Sequence, residues 1–255
     1  MQKLSTSRGI KMNKCSVTKN INICKGNMDD YRRLSRFHYR EHSLGPYAAI
    51  YALKTKNSYH ADETVGVIVY KMPAPALELR NTATGGVFTG FDRSTQLNIV
   101  NKNIRCISRV IIDPRFRALG LASWLVAQTM LKVQSPIVES LAVMGKVNPF
   151  FEKAGMKKYC ANIPARCLQL KEAFSIVDIE QAMLINPSVV HEKINSLTSK
   201  KKTFIEYQIR FFLQSYGRRR TMNHCQERTA YVLGKLTDRP VYYIWFNPNM
   251  KLNID

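Results

Sequence analysis

The chain is short of acid. Only 18 of its 255 residues are Asp or Glu, against 39 Lys and Arg, so the formal net charge is +21. Such a surplus points to a polyanionic partner, and nucleic acid is the obvious one. The plainer reading is a very soluble basic protein. Long apolar runs are also lacking. None approaches the roughly 18 residues that a spanning helix needs, which excludes a helical membrane protein. The N-terminus is polar and dotted with lysine, without the apolar centre of a signal peptide. Cysteine pairing is absent as well. Cys15, Cys24, Cys106, Cys160, Cys167 and Cys225 are scattered with no Cys-x-x-Cys, so neither a zinc site nor a small disulfide scaffold is indicated. No metal is expected, and reduced thiols in the cytoplasm are the expectation. No Gly-x-x-x-x-Gly-Lys-Ser/Thr occurs, which excludes a P-loop ATPase.

What is present suits a globular core, since 45% of the residues are hydrophobic. The length allows one large domain, or one domain with a helical extension. Charge divides unevenly. Residues 1–170 carry 26 basic and 10 acidic side chains, and residues 171–255 carry 13 and 8.

The stretch from Ile107 to Met130 organises the rest. Ile107-Ser108-Arg109-Val110-Ile111-Ile112 is apolar and β-branched, the texture of a buried strand. Asp113-Pro114 ends it, because proline cannot donate to a ladder. A basic turn with small residues follows, and Leu121, Trp124, Leu125, Gln128 and Leu131 then recur at helical spacing. Strand, small-residue turn and helix form an anion site. Backbone N–H groups approach the anion, and the helix N-terminus adds partial positive charge.

The turn Arg117-Ala118-Leu119-Gly120-Leu121-Ala122 fits Gln/Arg-x-x-Gly-x-Gly/Ala. Downstream, Ile137 to Val143 reads as another buried strand, followed by Asn148-Pro149-Phe150-Phe151-Glu152-Lys153-Ala154-Gly155-Met156. In that order and at that spacing, the two segments resemble the cofactor segments of the Gcn5-related N-acetyltransferase (GNAT) superfamily over residues 20 to 170. The resemblance implies an α/β (α+β) fold with a mixed, splayed central sheet. It implies acetyl-CoA, or another acyl-CoA, as cofactor. Val110, Ile111 and Ile112 would meet the pantetheine arm through their backbone, in a gap between the fourth and fifth strands. Arg115 and Arg117 would flank the phosphates, with Ala118, Leu119, Gly120, Leu121 and Ala122 lining the pyrophosphate. Asn148 and Phe151 would complete the cofactor site. Many members place a tyrosine acid where Phe151 stands, and phenylalanine cannot donate a proton; Tyr159 and Tyr39 are possible substitutes.

Three domains are expected: a flexible basic arm over 1–20, the GNAT core over 21–170, and a helical extension with a terminal strand over 171–255. Ile21 to Cys24 reads as a first strand, and Asn27 or Asp29 can cap the helix after it. Pro46–Leu53 and Thr64–Tyr70 make a hairpin. Residues 73–90 read as a long loop, and Asp92 caps a short helix around Gln96 to Val100. Lys157–Cys160 and Arg166–Leu170 read as the last core strands, with helices beyond them. Tyr216 and Arg218-Arg219-Arg220 read as a phosphate-tracking patch or, more plainly, a solvated helix end. Val241–Phe246 is too apolar for a tail and is expected to return to the sheet or cover an edge.

Four residues are the catalytic candidates. His38 and Tyr39 lie where the family places the acceptor, and a histidine there can take a proton from an amine. Ser108 and Arg109 interrupt a core strand. Arg109 needs an anion, because an unpaired buried charge is too costly. Either a substrate phosphate or carboxylate supplies it, or an internal partner such as Glu139 does. Parts of the chain also resemble the acetyltransferase module fused to some ABC-type ATPases and, more loosely, the phage Mom group that modifies adenine in DNA. The expected activity is N-acyl transfer to a nucleic acid or an associated amine. Mom-like base modification and a non-catalytic basic binding module are the alternatives. Acceptor, acyl group and oligomeric state stay open.

Overall fold

The computed structural model describes residues 15–38, 44–57, 60–146, 148–161, 163–237 and 240–254. The expected N-terminal arm lies outside these residues up to position 14. The chain divides into two compact units, 1–160 with 240–255, and 161–239.

The first unit is built on a seven-stranded mixed sheet. Its strands are β1 (Ile21–Lys25), β2 (Ala49–Asn57), β3 (His60–Lys71), β4 (Ile104–Ile112), β5 (Ile137–Ala142), β6 (Lys157–Tyr159) and β7 (Val241–Phe246), in the order β1-β2-β3-β4-β5-β7-β6. The β4–β5 pair is parallel and the other pairs are antiparallel. Composition sets the order. The run from Val65 to Tyr70 is buried on both faces and sits inside the sheet, while β1 is short, largely solvent-accessible and forms an edge. The terminal strand does return to the sheet, and it inserts between β5 and β6 rather than covering an edge.

Helices cover both faces. On one, α4 (Leu121–Met130) and α5 (Phe150–Lys153) pack Leu121, Leu125, Val126 and Phe151 against Ile68, Tyr70, Ile107 and Tyr243. On the other, α1 (Met28–Ser35) packs Tyr31 and Leu34 on Val67, Val69 and Ile111. Asn27 caps α1 in a capping box with Asp30. Beside it, α2 (Glu78–Thr84) and α3 (Arg93–Asn103) help cover Ile104, Ile137, Tyr242 and Ile244. Asp92 caps α3 as expected. The long loop read over 73–90 is partly helical, because α2 forms there and ends on Gly85 in the left-handed region.

The second unit is helical: α6 (Ala165–Ile176), α7 (Pro187–Ser196), α8 (Ser199–Leu213) and α9 (Gln226–Thr237). The strand expected at Arg166–Leu170 is therefore wrong. Cys167, Leu170, Ala173 and Phe174 are buried at spacings of three and four while Leu168 is exposed, a helical face rather than a pleat. Asn186 caps α7, its side chain accepting from the Ser188 and Val189 N–H groups. Arg218–Arg220 lie in a single turn of tighter helix.

Candidate active site

The parallel pair is short. β4 and β5 align only from Ile104 opposite Ile137 to Ile107 opposite Ser140. Beyond that point β5 stays with β7, and β4 stays with β3. In the middle of a central strand, Ser108, Arg109 and Val110 are consequently only half-buried, and Leu141 on β5 is 40% exposed.

A bulge falls at the parting. Val69 opposes Arg109 and Tyr70 opposes Ile107, so Ser108 is the extra residue. Its Oγ donates to the Val69 carbonyl at 3.2 Å. The bulge resets the alternation of side chains. Ile107 joins the α4 layer, whereas Arg109 shares the α1 face with its opposite number Val69 and with Ile111. Backbone direction follows from the next bond. The Asp113 N–H donates to the Val65 carbonyl at 2.9 Å, so by alternation the Ile111 N–H also points to β3. The N–H groups of Val110 and Ile112 then point into the gap. Of the three residues expected to meet a cofactor arm through the backbone, Ile111 faces the wrong way.

The turn after β4 is an open nest of donors. Ala118 (φ 62°) and Gly120 (φ 75°) both lie in the left-handed region. No side chain caps α4, and among the described residues the backbone N–H groups from Ala118 to Ser123 find no protein acceptor. Alternating backbone of this kind makes an anion-binding concavity, and the helix N-terminus reinforces it. A Cβ built on Gly120 would meet nothing within 4 Å, so the cradle is open.

The two expected phosphate-flanking arginines differ. Arg115 bonds both Asp113 and Glu63, and its charge is already matched. Those Arg115 bonds hold the Asp113 carboxyl below the usual carboxylate range. Arg117 donates only to the Ile112 carbonyl, at 3.3 Å, and makes no ion pair among the described residues. Arg117 is the cation available to a bound anion. Leu119 is exposed on the turn, Leu121 is in the core and Ala122 is half-buried.

The remaining candidates are not all brought together. Asn148 is exposed. Phe151 is 4% exposed and lies 5.1 Å from the Tyr243 ring, so its side chain packs the core. His38 follows the end of α1, with its N–H on the Ser35 carbonyl. Tyr39 lies outside the described residues. Tyr159 opposes Tyr242, whose ring belongs to the α2–α3 side of the sheet, so it does not stand in for an acid on the α5 side.

The internal partner considered for Arg109 is taken. Glu139 is bound by Arg80, Nε to Oε2 at 2.9 Å and Nη2 to Oε1 at 2.7 Å, and the Tyr242 hydroxyl donates to Oε2 at 2.9 Å. Arg80 also donates to the Ala74 carbonyl at 2.7 Å, tying the segment after β3 to β5. This buried cluster was not anticipated. A carboxylate inside Ile-Val-Glu-Ser-Leu is a signal that a cation must come to it, but the sequence does not say which. Burial and the Glu139 charge push the Cys106 thiol up to about 12, so it is a packing group. Among the described residues, no three of His, Cys, Asp and Glu are grouped to hold a metal ion, and no helix is long and apolar enough to cross a membrane.

No protein-family model and no curated protein matches this chain.

Proposed function

We propose that the first unit is an acyl-CoA-dependent N-acyltransferase of the GNAT type, with a nucleic acid or a nucleic-acid-associated amine as acceptor. The observation that carries the reading is the parallel β4–β5 pair that parts after four residues, beside an uncapped left-handed turn. A mixed sheet whose one parallel pair parts supports the mixed, splayed sheet that the GNAT resemblance implies. The basic surplus supports a polyanionic acceptor.

The residues present fit acetyl-CoA. The N–H groups from Ala118 to Ser123 would hold its diphosphate, and Arg117 would add charge. The bound cofactor supplies an activated acyl thioester. Val110 and Ile112 offer N–H groups in the gap to the arm and to negative charge on the acyl oxygen. His38, just beyond α1, would be the group that takes a proton from the attacking amine. The Tyr243 phenol lies behind Phe151, donates to the Gly145 carbonyl at 3.0 Å, and is pushed up to about 12 by burial and then by Glu152. It holds the fold. A thiol near ~8.5 leaves as thiolate without an acid.

Calorimetry tests the cofactor. Acetyl-CoA binds the intact protein, and Gly120→Glu abolishes the binding by placing a carboxylate in the nest. Failure of the wild type to bind would overturn the reading. Mass spectrometry of nucleosides from expressing cells tests the acceptor, and an adenine adduct formed without any acyl-CoA would favour Mom-like modification instead.

A further inference from the structure

Among the described residues Arg109 is a cation without an anion. Its Nη1 donates to the neighbouring Ser108 carbonyl at 2.9 Å, its Nε is buried with no partner, and no described carboxylate reaches it. The shortage is general in this unit. Glu139 belongs to Arg80, Asp113 and Glu63 to Arg115, Asp30 to Lys54 and Thr64, and Glu152 to Lys158 and Tyr243. Asp29 pairs with Arg32, and Asp92 caps α3. Among the described carboxylates here Glu78 alone is left, and it is exposed at the start of α2.

The free part of Arg109 has a shape. With Nη1 engaged, what remains is the edge formed by Nε and Nη2. That is the edge with which Arg80 grips both oxygens of Glu139. Two parallel N–H groups on one edge match an oxyanion, and leaving such a donor buried and unmet is costly. Arg109 also sits beside the parting of β4 and β5, on the face opposite α4 and the nest. On that face stands α1, whose Arg36 lies near enough to Asp113 to lower its carboxyl further.

We infer that Arg109 recognises the acceptor, by clasping with its Nε–Nη2 edge a phosphate that lies next to the amine to be acylated. The inference rests on the acyltransferase reading for placing donor and acceptor on opposite faces of the gap. It defines the acceptor as an amine on a nucleotide chain rather than an uncharged amine. Arg109 is then a specificity residue, and Arg117 serves the donor.

The experiment is a double-mutant cycle with the intact protein saturated with acetyl-CoA. Short single-stranded oligonucleotides, each with one linkage neutralised as a methylphosphonate, are titrated against wild type, Arg109→Lys and Arg109→Gln. In the wild type one linkage weakens binding about tenfold when neutralised, as expected for a charge-assisted pair. In Arg109→Gln that same linkage is silent. Arg109→Lys retains charge without the fork and falls between. Acetyl-CoA affinity stays within about twofold in all three. Equal sensitivity to every linkage, or the same sensitive linkage in Arg109→Gln, overturns the inference, because the basic surface alone then explains binding. Loss of acetyl-CoA in Arg109→Gln also overturns it, by giving the cation to the donor or to the fold. If the wild type ignores acetyl-CoA, the transferase reading falls by itself, and the linkage cycle still judges the phosphate contact.

Discussion

At the scale of single residues, burial decides which charges matter. Arg80 and Glu139 are each 1% exposed and grip each other through two bonds. Removing one partner leaves a buried charge unmatched, so Glu139→Gln should lower stability by about 3–5 kcal/mol in urea unfolding. Glu63 faces Arg115 at the surface, and Glu63→Gln should cost under about 1 kcal/mol. Equal effects would mean that the Arg80 pair is far more hydrated than its enclosure implies. Gly120 is a different case. There is room for a methyl group, yet φ is 75°, so Gly120→Ala carries a backbone cost of about 1–2 kcal/mol without a clash. Ala118 tolerates the same region at φ 62°, which its identity does not advertise. The turn's small residues and its Gly120 were legible in the sequence. The engagement of Arg115 by Asp113 and Glu63 was not, because Glu63 arrives from β3, far along the chain.

At the scale of elements, periodicity was a good guide wherever one pattern ruled. The strand ending at Ile112, the helix from Leu121 and the terminal strand were all readable from apolar runs and helical spacing. Two short patterns misled. Arg166-Cys167-Leu168-Gln169-Leu170 is too short to fix its period, and only the extension to Ala173 and Phe174 reveals the helix. Asn81, Thr82 and Thr84 are weak helix formers, so α2 is held by tertiary packing and by Arg80 rather than by propensity. The parting of β4 from β5 could be expected only from the resemblance, because nothing local to either strand encodes it. It makes a sharp prediction for amide exchange. Val110 and Ile112 should exchange quickly, and Ile111 and Asp113 slowly, since only the latter two point to β3. Saturating acetyl-CoA should slow the first two and leave the others unchanged. Uniform slow exchange along β4 without cofactor would mean that the gap is closed in solution.

At the scale of the whole molecule, the surplus of +21 sets the response to acid. Each unit holds carboxylates at depressed pKa, Asp30 and Asp113 among them in the first and Glu206 in the second. Burial raises Asp30, but Thr64, Asn27 and Lys54 outweigh it, and the net direction is down. Burial likewise opposes Glu206 in the second unit, and Arg228 and His224 outweigh it. Arg228 is enclosed at 1% exposure and reaches both Glu206 oxygens, at 2.8 and 2.6 Å. A group depressed in the folded state stabilises fully above its unfolded pKa, near ~4 for these acids, and the contribution disappears as pH falls through the folded value. Stability should therefore drop below about pH 4.5, and two causes share the drop: loss of these local pairs, and growing self-repulsion as all carboxylates discharge. Salt separates them, since it screens surface repulsion far more than an enclosed pair. Both tryptophans, Trp124 and Trp245, lie in the first unit, so their fluorescence follows that unit alone. In about 1 M salt the acid slope of the wild type should shrink without vanishing. Asp30→Asn should start less stable at neutral pH and show a flatter slope at either salt level. For the second unit, Glu206→Gln should flatten the acid dependence of amide protection along α8. A slope erased by salt in the wild type, or unaltered in Asp30→Asn, would assign acid sensitivity to net charge and leave the enclosed carboxylates no part in it.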